Sequence, residues 1–341
     1  MIKKYCTRDD GKLRLSVYLI LFILPLVCAL LALSMGRMKV NISEIINLSK
    51  NYILRRDLDP MMESLIFKIR LPRILTALIV GAGLTVAGIA FQALFSNPLA
   101  TPDILGVTSA SSLGAIIGIL LSLGTMGIQV LALATGLISI FITINLVRRD
   151  ESSIVMLVLA GIIVSSLANA FSSLLKYTAD PMDKLPQITY WLMGSFGRTS
   201  YKNLVLAGPL ILISIFVIYK MSWSLNLLSL SEEARSLGVN VKRTRFIFIL
   251  ASTVITASSV SICGQIGWIG LIIPHLVRML IGANNLYTLP FGISFGAAFM
   301  VLIEALSRTV SVIELPISVL TAIIGAPIFI MLMRRSGGIF K

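Results

Sequence analysis

The sequence predicts an all-α integral membrane protein, and three observations carry that prediction. Of its 341 residues 57% are hydrophobic and 13% charged, with a mean hydropathy of +0.95, a composition at which a water-soluble domain would aggregate. Uncharged runs of about 19 to 22 residues recur, each long enough to cross a ~30 Å hydrocarbon layer as a helix. The runs lack strict apolar and polar alternation, so helices, not a barrel, satisfy the backbone inside lipid.

Ten spans follow in order: 15–35, 74–94, 104–122, 126–147, 154–175, 203–221, 246–264, 267–282, 288–307 and 315–333. The first is preceded by Lys3, Lys4, Arg8, Lys12 and Arg14. It is longer than a signal-peptide core and has no cleavage site, so it is a retained span. The second is rich in small residues, and Gly83 with Ala87 forms a small-xxx-small pair that lets another helix approach closely. Between residues 176 and 202 a short helix at the outer surface is expected, with Tyr190 and Trp191 at the membrane interface. The eighth span is short and carries His275 and Arg278, which must face protein, water or head groups. A charged re-entrant piece is the competing description of that stretch. Pro25, Pro209, Pro274 and Pro327 fall inside apolar runs and each removes a backbone hydrogen bond.

An even number of spans puts both ends on one side. The N-terminal cations, with Arg334, Arg335 and Lys341, place that side in the cytoplasm. One outer segment, Arg37 to Arg73, carries eight cations against Glu44, Asp57, Asp59 and Glu63. Such a surface attracts an acidic partner or anionic membrane lipid. The net charge of +14 is therefore a matter of topology and not of nucleic-acid binding. Cys6, Cys28 and Cys263 share no ligand spacing and His275 is the single histidine, so neither a disulfide framework nor a metal site is expected. No phosphate-binding G-x-x-x-x-G-K-[ST] loop occurs, so any ATP and Mg²⁺ belong to another chain.

Ser229 to Arg245 is a polar island between apolar runs. Ser229 and Glu232 have capping-box spacing, Glu233 lies in the first turn, and Gly238 suits the left-handed residue that ends a helix. The predicted helix, 229–238, carries Leu230, Ala234 and Leu237 on one stripe while Glu233 and Arg235 point elsewhere. It suits the groove of a soluble partner, and equally a solvated connector.

Glu233, Ala234, Arg235 and Gly238 resemble the coupling motif of ABC importer permeases. Further landmarks are RLPR at Arg70 to Arg73, the stretch from Gly81 to Ser111, YWLMGSFG at Tyr190 to Gly197, GQIGWIGLIIPHLVR at Gly264 to Arg278, and ELPISVLTAIIGAPIF at Glu314 to Phe329. As an ordered set they resemble the FecCD or BtuC type of permease, which imports ferric siderophores, haem or vitamin B12 into bacteria. The resemblance implies a ten-helix type II transmembrane domain in the bacterial cytoplasmic membrane, working as a homodimer or close heterodimer with its solute path on the dimer axis. It implies two cytoplasmic ABC ATPases that contact the coupling helix (Ser229, Glu232, Glu233, Ala234, Arg235, Gly238). It also implies an extracytoplasmic binding protein or lipoprotein docked on Arg70, Arg73 and Arg308. The inner gate maps to Asn97 and Leu99 with Ser152 and Ser153. Local structural roles stand beside these: Glu304 and Arg308 have the spacing of a helix salt bridge, and Asn97–Pro98 that of a helix-ending turn. The chain departs from the family at Asn284, Asn285 and Leu286, where a charged cluster is usual, and at Glu304, where aspartate is expected. Ferric siderophore is the expected cargo, with haem and cobalamin as alternatives.

Two other classes are weighed. An ion-driven secondary transporter needs buried ionisable residues at mid-membrane, yet from Phe246 to Met333 the charged residues are Arg278, Glu304, Arg308 and Glu314, mostly near span ends. An intramembrane enzyme would use His275 as base, but no partner acid is evident in sequence.

Overall fold

The computed structural model describes residue 6 and residues 13–54, 59–147, 154–228 and 240–336. The coupling stretch 229–238 and the pair Ser152 and Ser153 lie outside the described residues, as do the cations Lys3, Lys4, Arg8 and Lys12.

The first apolar run forms α1 (Leu15–Ser34), which continues through Pro25. A capping box opens the amphipathic α2 (Ile42–Ile53): the Asn41 N–H donates to Glu44 Oε2 at 3.1 Å, and Ile45 packs with Val40 and Ile66. The long α3 (Pro60–Leu94, 35 residues) starts at a local signal, Asp59 Oδ1 accepting from the Met61 N–H at 2.9 Å with Pro60 in the first turn. Its segment Ser64–Arg70 is wound as a π-helix. The helix therefore begins well before the expected boundary at residue 74, because Lys68, Arg70 and Arg73 end the apolar run without ending the helix.

Then come α4 (Val107–Leu120), α5 (Thr125–Leu146), α6 (Ile154–Tyr177), the short α7 (Lys184–Leu192), α8 (Tyr201–Lys220) and α9 (Ser222–Leu228). They are followed by α10 (Val241–Cys263), α11 (Ile269–Ile281), α12 (Asn285–Thr309) and α13 (Ile317–Ser336). On α7 Tyr190 is exposed as an interfacial residue would be, whereas Trp191 turns inward and packs with Ile188 and Ala115. Among the described residues α1, α3, α5, α6, α8, α10 and α12 are long and apolar enough to cross a membrane. The others of the ten expected spans, α4, α11 and the apolar part of α13, are shorter. A helix the length of α4, with 14 residues, rises only ~21 Å. The 3₁₀ turn Pro102–Leu105 precedes α4, and the non-helical residues 264–268 precede α11. Backbone of that kind is tolerated at membrane depth where protein buries it or where it lines a cavity.

The bundle is built around α3, whose most apolar window is 83% buried against 22% for α1 and α6. It packs most extensively on α12, then on α10, α8 and α11, while α4 pairs with α5 and α1 lies on α12. Lipid supplies no hydrophobic drive between helices, so close van der Waals approach at small residues has to hold them. A methyl group added at Gly81 would fall on the Gly296 carbonyl, and one added at Gly88 on the Gly270 carbonyl. These backbone approaches are tighter than the sequence suggested for Gly83, which instead meets the side chains of Ile211 and Ile255. Gly88→Val is expected to push α11 off α3 and to cost about 1–3 kcal/mol, read as a lowered unfolding temperature of the purified protein.

Candidate functional site

Three helices bring charged residues together at one end of the bundle. The start of α3 supplies Arg70 and Arg73, the end of α12 supplies Glu304 and Arg308, and Glu314 stands just before α13. Arg73 is the bridge: its Nε donates to Glu304 Oε1 at 2.9 Å, while Nη1 and Nη2 donate to Glu314 Oε1 and Oε2 at 2.8 and 3.1 Å. The Glu314 contact is thus a fork of two parallel hydrogen bonds, the geometry in which a guanidinium holds a carboxylate best. Arg308 Nε donates to Glu304 Oε2 at 3.1 Å, so the expected helix salt bridge is present. Glu304 is fully buried and holds both arginines.

The remaining donors close the end of α1. Arg308 Nη1 donates to the Met35 carbonyl at 2.6 Å and its Nη2 to that of Ala32; Arg70 donates to the carbonyls of Leu33, at 2.5 Å, and Met38. Carbonyls at a helix C-terminus lack intrahelical partners and carry partial negative charge, so two guanidinium groups satisfy both needs at once. This requires glycine at position 36: a side chain there would lie 2.5 Å from Arg70 Nη2 and 3.2 Å from Arg308 Nη1, on a backbone with φ +153°. Gly36→Val is expected to displace both arginines and lower stability by about 1–3 kcal/mol, measurable by thermal unfolding in detergent.

Arg70, Arg73 and Arg308 are therefore gathered as the sequence suggested, but they are 3%, 6% and 6% exposed and already engaged. What opens outward is a depression of about 190 Å³ lined in part by Arg37, Arg70, Arg73, Arg308 and Glu314. The Glu314 side chain is 38% exposed, which makes it the accessible member of the cluster. Sequence reasoning gave Glu314 no site role, placing it at the head of a landmark motif and as a charge near a span end. Its position before a span, opposite the cationic RLPR stretch, was the available signal.

At the other end of α3 the chain turns. Asn97 Oδ1 accepts the Leu99 N–H at 2.9 Å, Ser96 takes φ +47°, and Leu99 is left 52% exposed. The helix-ending turn at Asn97–Pro98 is thus present, with Leu99 at its surface. One turn earlier, Gln92 ties α3 to α11: its Nε2 donates to the Gly270 carbonyl at 3.1 Å and its Oε1 accepts from Arg278. This is the partner that a charge in the eighth apolar run demanded, and the sequence reading missed it. His275 stands edge-on to Phe329, with ring centroids 6.1 Å apart. Asn226 of α9 joins the start of α12, donating to Asn284 Oδ1 at 2.8 Å and accepting the Asn285 N–H at 2.7 Å. The two asparagines that depart from the family's charged cluster are thus used in local packing. The coupling residues Ser229, Glu232, Glu233, Ala234, Arg235 and Gly238 are outside the described chain, which resumes at Asn240 with a cap, Oδ1 accepting the Arg243 N–H at 3.0 Å. Among the described residues no group of three or more His, Cys, Asp or Glu gathers as a transition-metal site would.

The family model of the FecCD transport family matches residues 23–335. The chain is 41% identical over 321 residues to the molybdate import system permease of Haemophilus influenzae, covering 92% of this chain and 94% of that one. It is 33% identical over 293 residues to an iron chelatin transport system permease of Helicobacter pylori, covering 85% and 88%. Among solved structures, an inward-facing transporter assigned to the metal-chelate type superposes with a TM-score of 0.85 at 39% identity, over 94% of this chain and 99% of that one.

Proposed function

Since this chain belongs to the FecCD transport family, we propose that it passes a metal chelate, a ferric siderophore in the first instance, into the bacterial cytoplasm. Its class is plain: it is a multi-pass membrane permease of ABC importers, a transport component and not an enzyme. The family works with ATPase subunits. The observation that carries the metal-chelate reading is the 0.85 TM-score to a transporter of that type over almost the whole chain. A second cargo, molybdate, is favoured by the 41% identity to a molybdate permease. Uptake of labelled iron chelate and of labelled molybdate by cells with and without this chain tests both. Loss of iron uptake alone on deletion supports the first reading, and loss of molybdate uptake alone replaces it with the second.

In this reading two permease chains enclose the path and both termini are cytoplasmic. The arginine cluster then lies on the outer face, where an extracytoplasmic binding protein docks. Because Arg73 already holds Glu314 in a fork, an incoming carboxylate can compete for the same guanidinium and release α13. Docking would thus act on a helix end and not merely on a surface. On the inner face the coupling helix at 229–238 takes up the stroke of the ATPases. Leu99, held outward by the Asn97 turn, forms the gate with Ser152 and Ser153. ATP and Mg²⁺ stay on the ATPase.

A further inference from the structure

The 3₁₀ turn 102–105 and the non-helical residues 264–268 come together. Between them and the middle of α10 lies a cavity of about 30 Å³, room for one or two water-sized occupants. Its lining includes the carboxylate side chain of Asp103 and the hydroxyl side chains of Thr101, Thr108, Thr256 and Ser259, beside the indole of Trp268. Among the described residues no lysine, arginine or histidine lines it. Thr108 Oγ1 donates to Asp103 Oδ1, and among the described residues no cation pairs with that carboxylate. Asp103 is exposed on one side of the cavity, whereas Thr256 and Ser259 are 2% and 1% exposed on the other.

Two features leave room for a ligand. Asp103 is exposed and accepts a hydrogen bond from Thr108, but no cation among the described residues balances its charge. The Ser259 hydroxyl is buried and makes no hydrogen bond among the described residues, although its residue lines the cavity, and a buried hydroxyl without a partner is destabilising. Thr256 donates backward to the Ser252 carbonyl at 2.9 Å, which leaves its oxygen lone pairs to accept or ligate. One ligand resolves both deficits.

We propose that this cavity binds a single small monovalent cation of the Na⁺ kind, held by Asp103, Ser259 and the neighbouring threonine hydroxyls. One carboxylate balances one positive charge, and neutral oxygens complete the shell. A transition metal would want His or Cys, and a divalent cation more carboxylates than the single one here. Unwound backbone between helices is also a setting in which membrane transporters hold such ions. The ion would pin the turn before α4 to α10 and to the entry of α11, so the packing of two short spans would depend on the salt present. This inference does not depend on which solute the permease carries.

The test is thermal unfolding of the purified full-length protein in detergent, in choline chloride and with NaCl replacing choline at constant ionic strength. The wild type is expected to gain stability saturably with Na⁺ and not with choline. Asp103→Asn is expected to abolish the gain, and Ser259→Ala to raise the half-saturating Na⁺ concentration about tenfold, as loss of one ligand implies. Identical unfolding of the wild type in both salts would mean that the cavity holds only water, which overturns the assignment. A Na⁺-dependent gain that persists in Asp103→Asn overturns it too. Should that variant fail to fold, Ser259→Ala decides, because an unchanged half-saturation there also removes the site.

Discussion

Glu304→Ala is expected to destabilise the protein by about 3–5 kcal/mol, the scale of a broken buried ion pair whose partners are left uncompensated. Glu304 is fully buried and accepts from Arg73 at 2.9 Å and from Arg308 at 3.1 Å, and those two arginines are themselves 6% exposed. Removing the carboxylate leaves two neighbouring guanidinium groups facing each other inside the bundle, with Glu314 at one edge as the remaining counter-charge. Arg308 would swing from the last carbonyls of α1, so the loss should spread to the α1–α12 contact. Glu304→Gln keeps an acceptor oxygen and should fall between the two. Denaturant or thermal unfolding of the three proteins side by side measures this. A loss below about 1 kcal/mol in Glu304→Ala, the scale of a surface pair, would mean the cluster is solvated and not an internal clamp.

The second large effect concerns transport itself. Gly238→Val is expected to cut uptake about tenfold or more while ATP hydrolysis by the partner continues. The sequence places Gly238 where a left-handed residue ends a short helix, and a side chain there costs ~1–2 kcal/mol. Around 1.4 kcal/mol is already a tenfold change in an equilibrium. In the proposed cycle the stroke comes from differential binding of the ATPases to two arrangements of the permease, so a helix end that no longer closes should lose the link without losing hydrolysis. The ratio of solute moved to ATP hydrolysed in reconstituted vesicles reads this directly. A ratio equal to that of the wild type would remove Gly238 from the coupling element.

Much of the fold is written in the sequence because lipid imposes a length and an apolar character on each span. The boundaries of α5, α6 and α8 fall within a few residues of the expected ones. The start of α3 was misplaced because cations were read as the end of a helix, although Asp59 and Pro60 already carried a start signal. Trp191 was assigned to the interface by its residue type, but it is buried in a cluster with Ala115 and Ile188. The arginines of the cluster were legible as a motif. Their partners were not, since Glu314 lies 241 residues from Arg73 and the carbonyls that end α1 carry no side-chain signature. Gln92 was hidden for the same reason: only the fold sets it beside Arg278 and Gly270.

The most direct test of the importer account is to tag this chain, extract it gently from its native membrane, and identify and quantify what comes with it. A P-loop ATPase in equal amount, retained by the intact chain and lost on deletion of residues 229–238, is the predicted result. Recovery of the chain alone, with transport unchanged by that deletion, would contradict it.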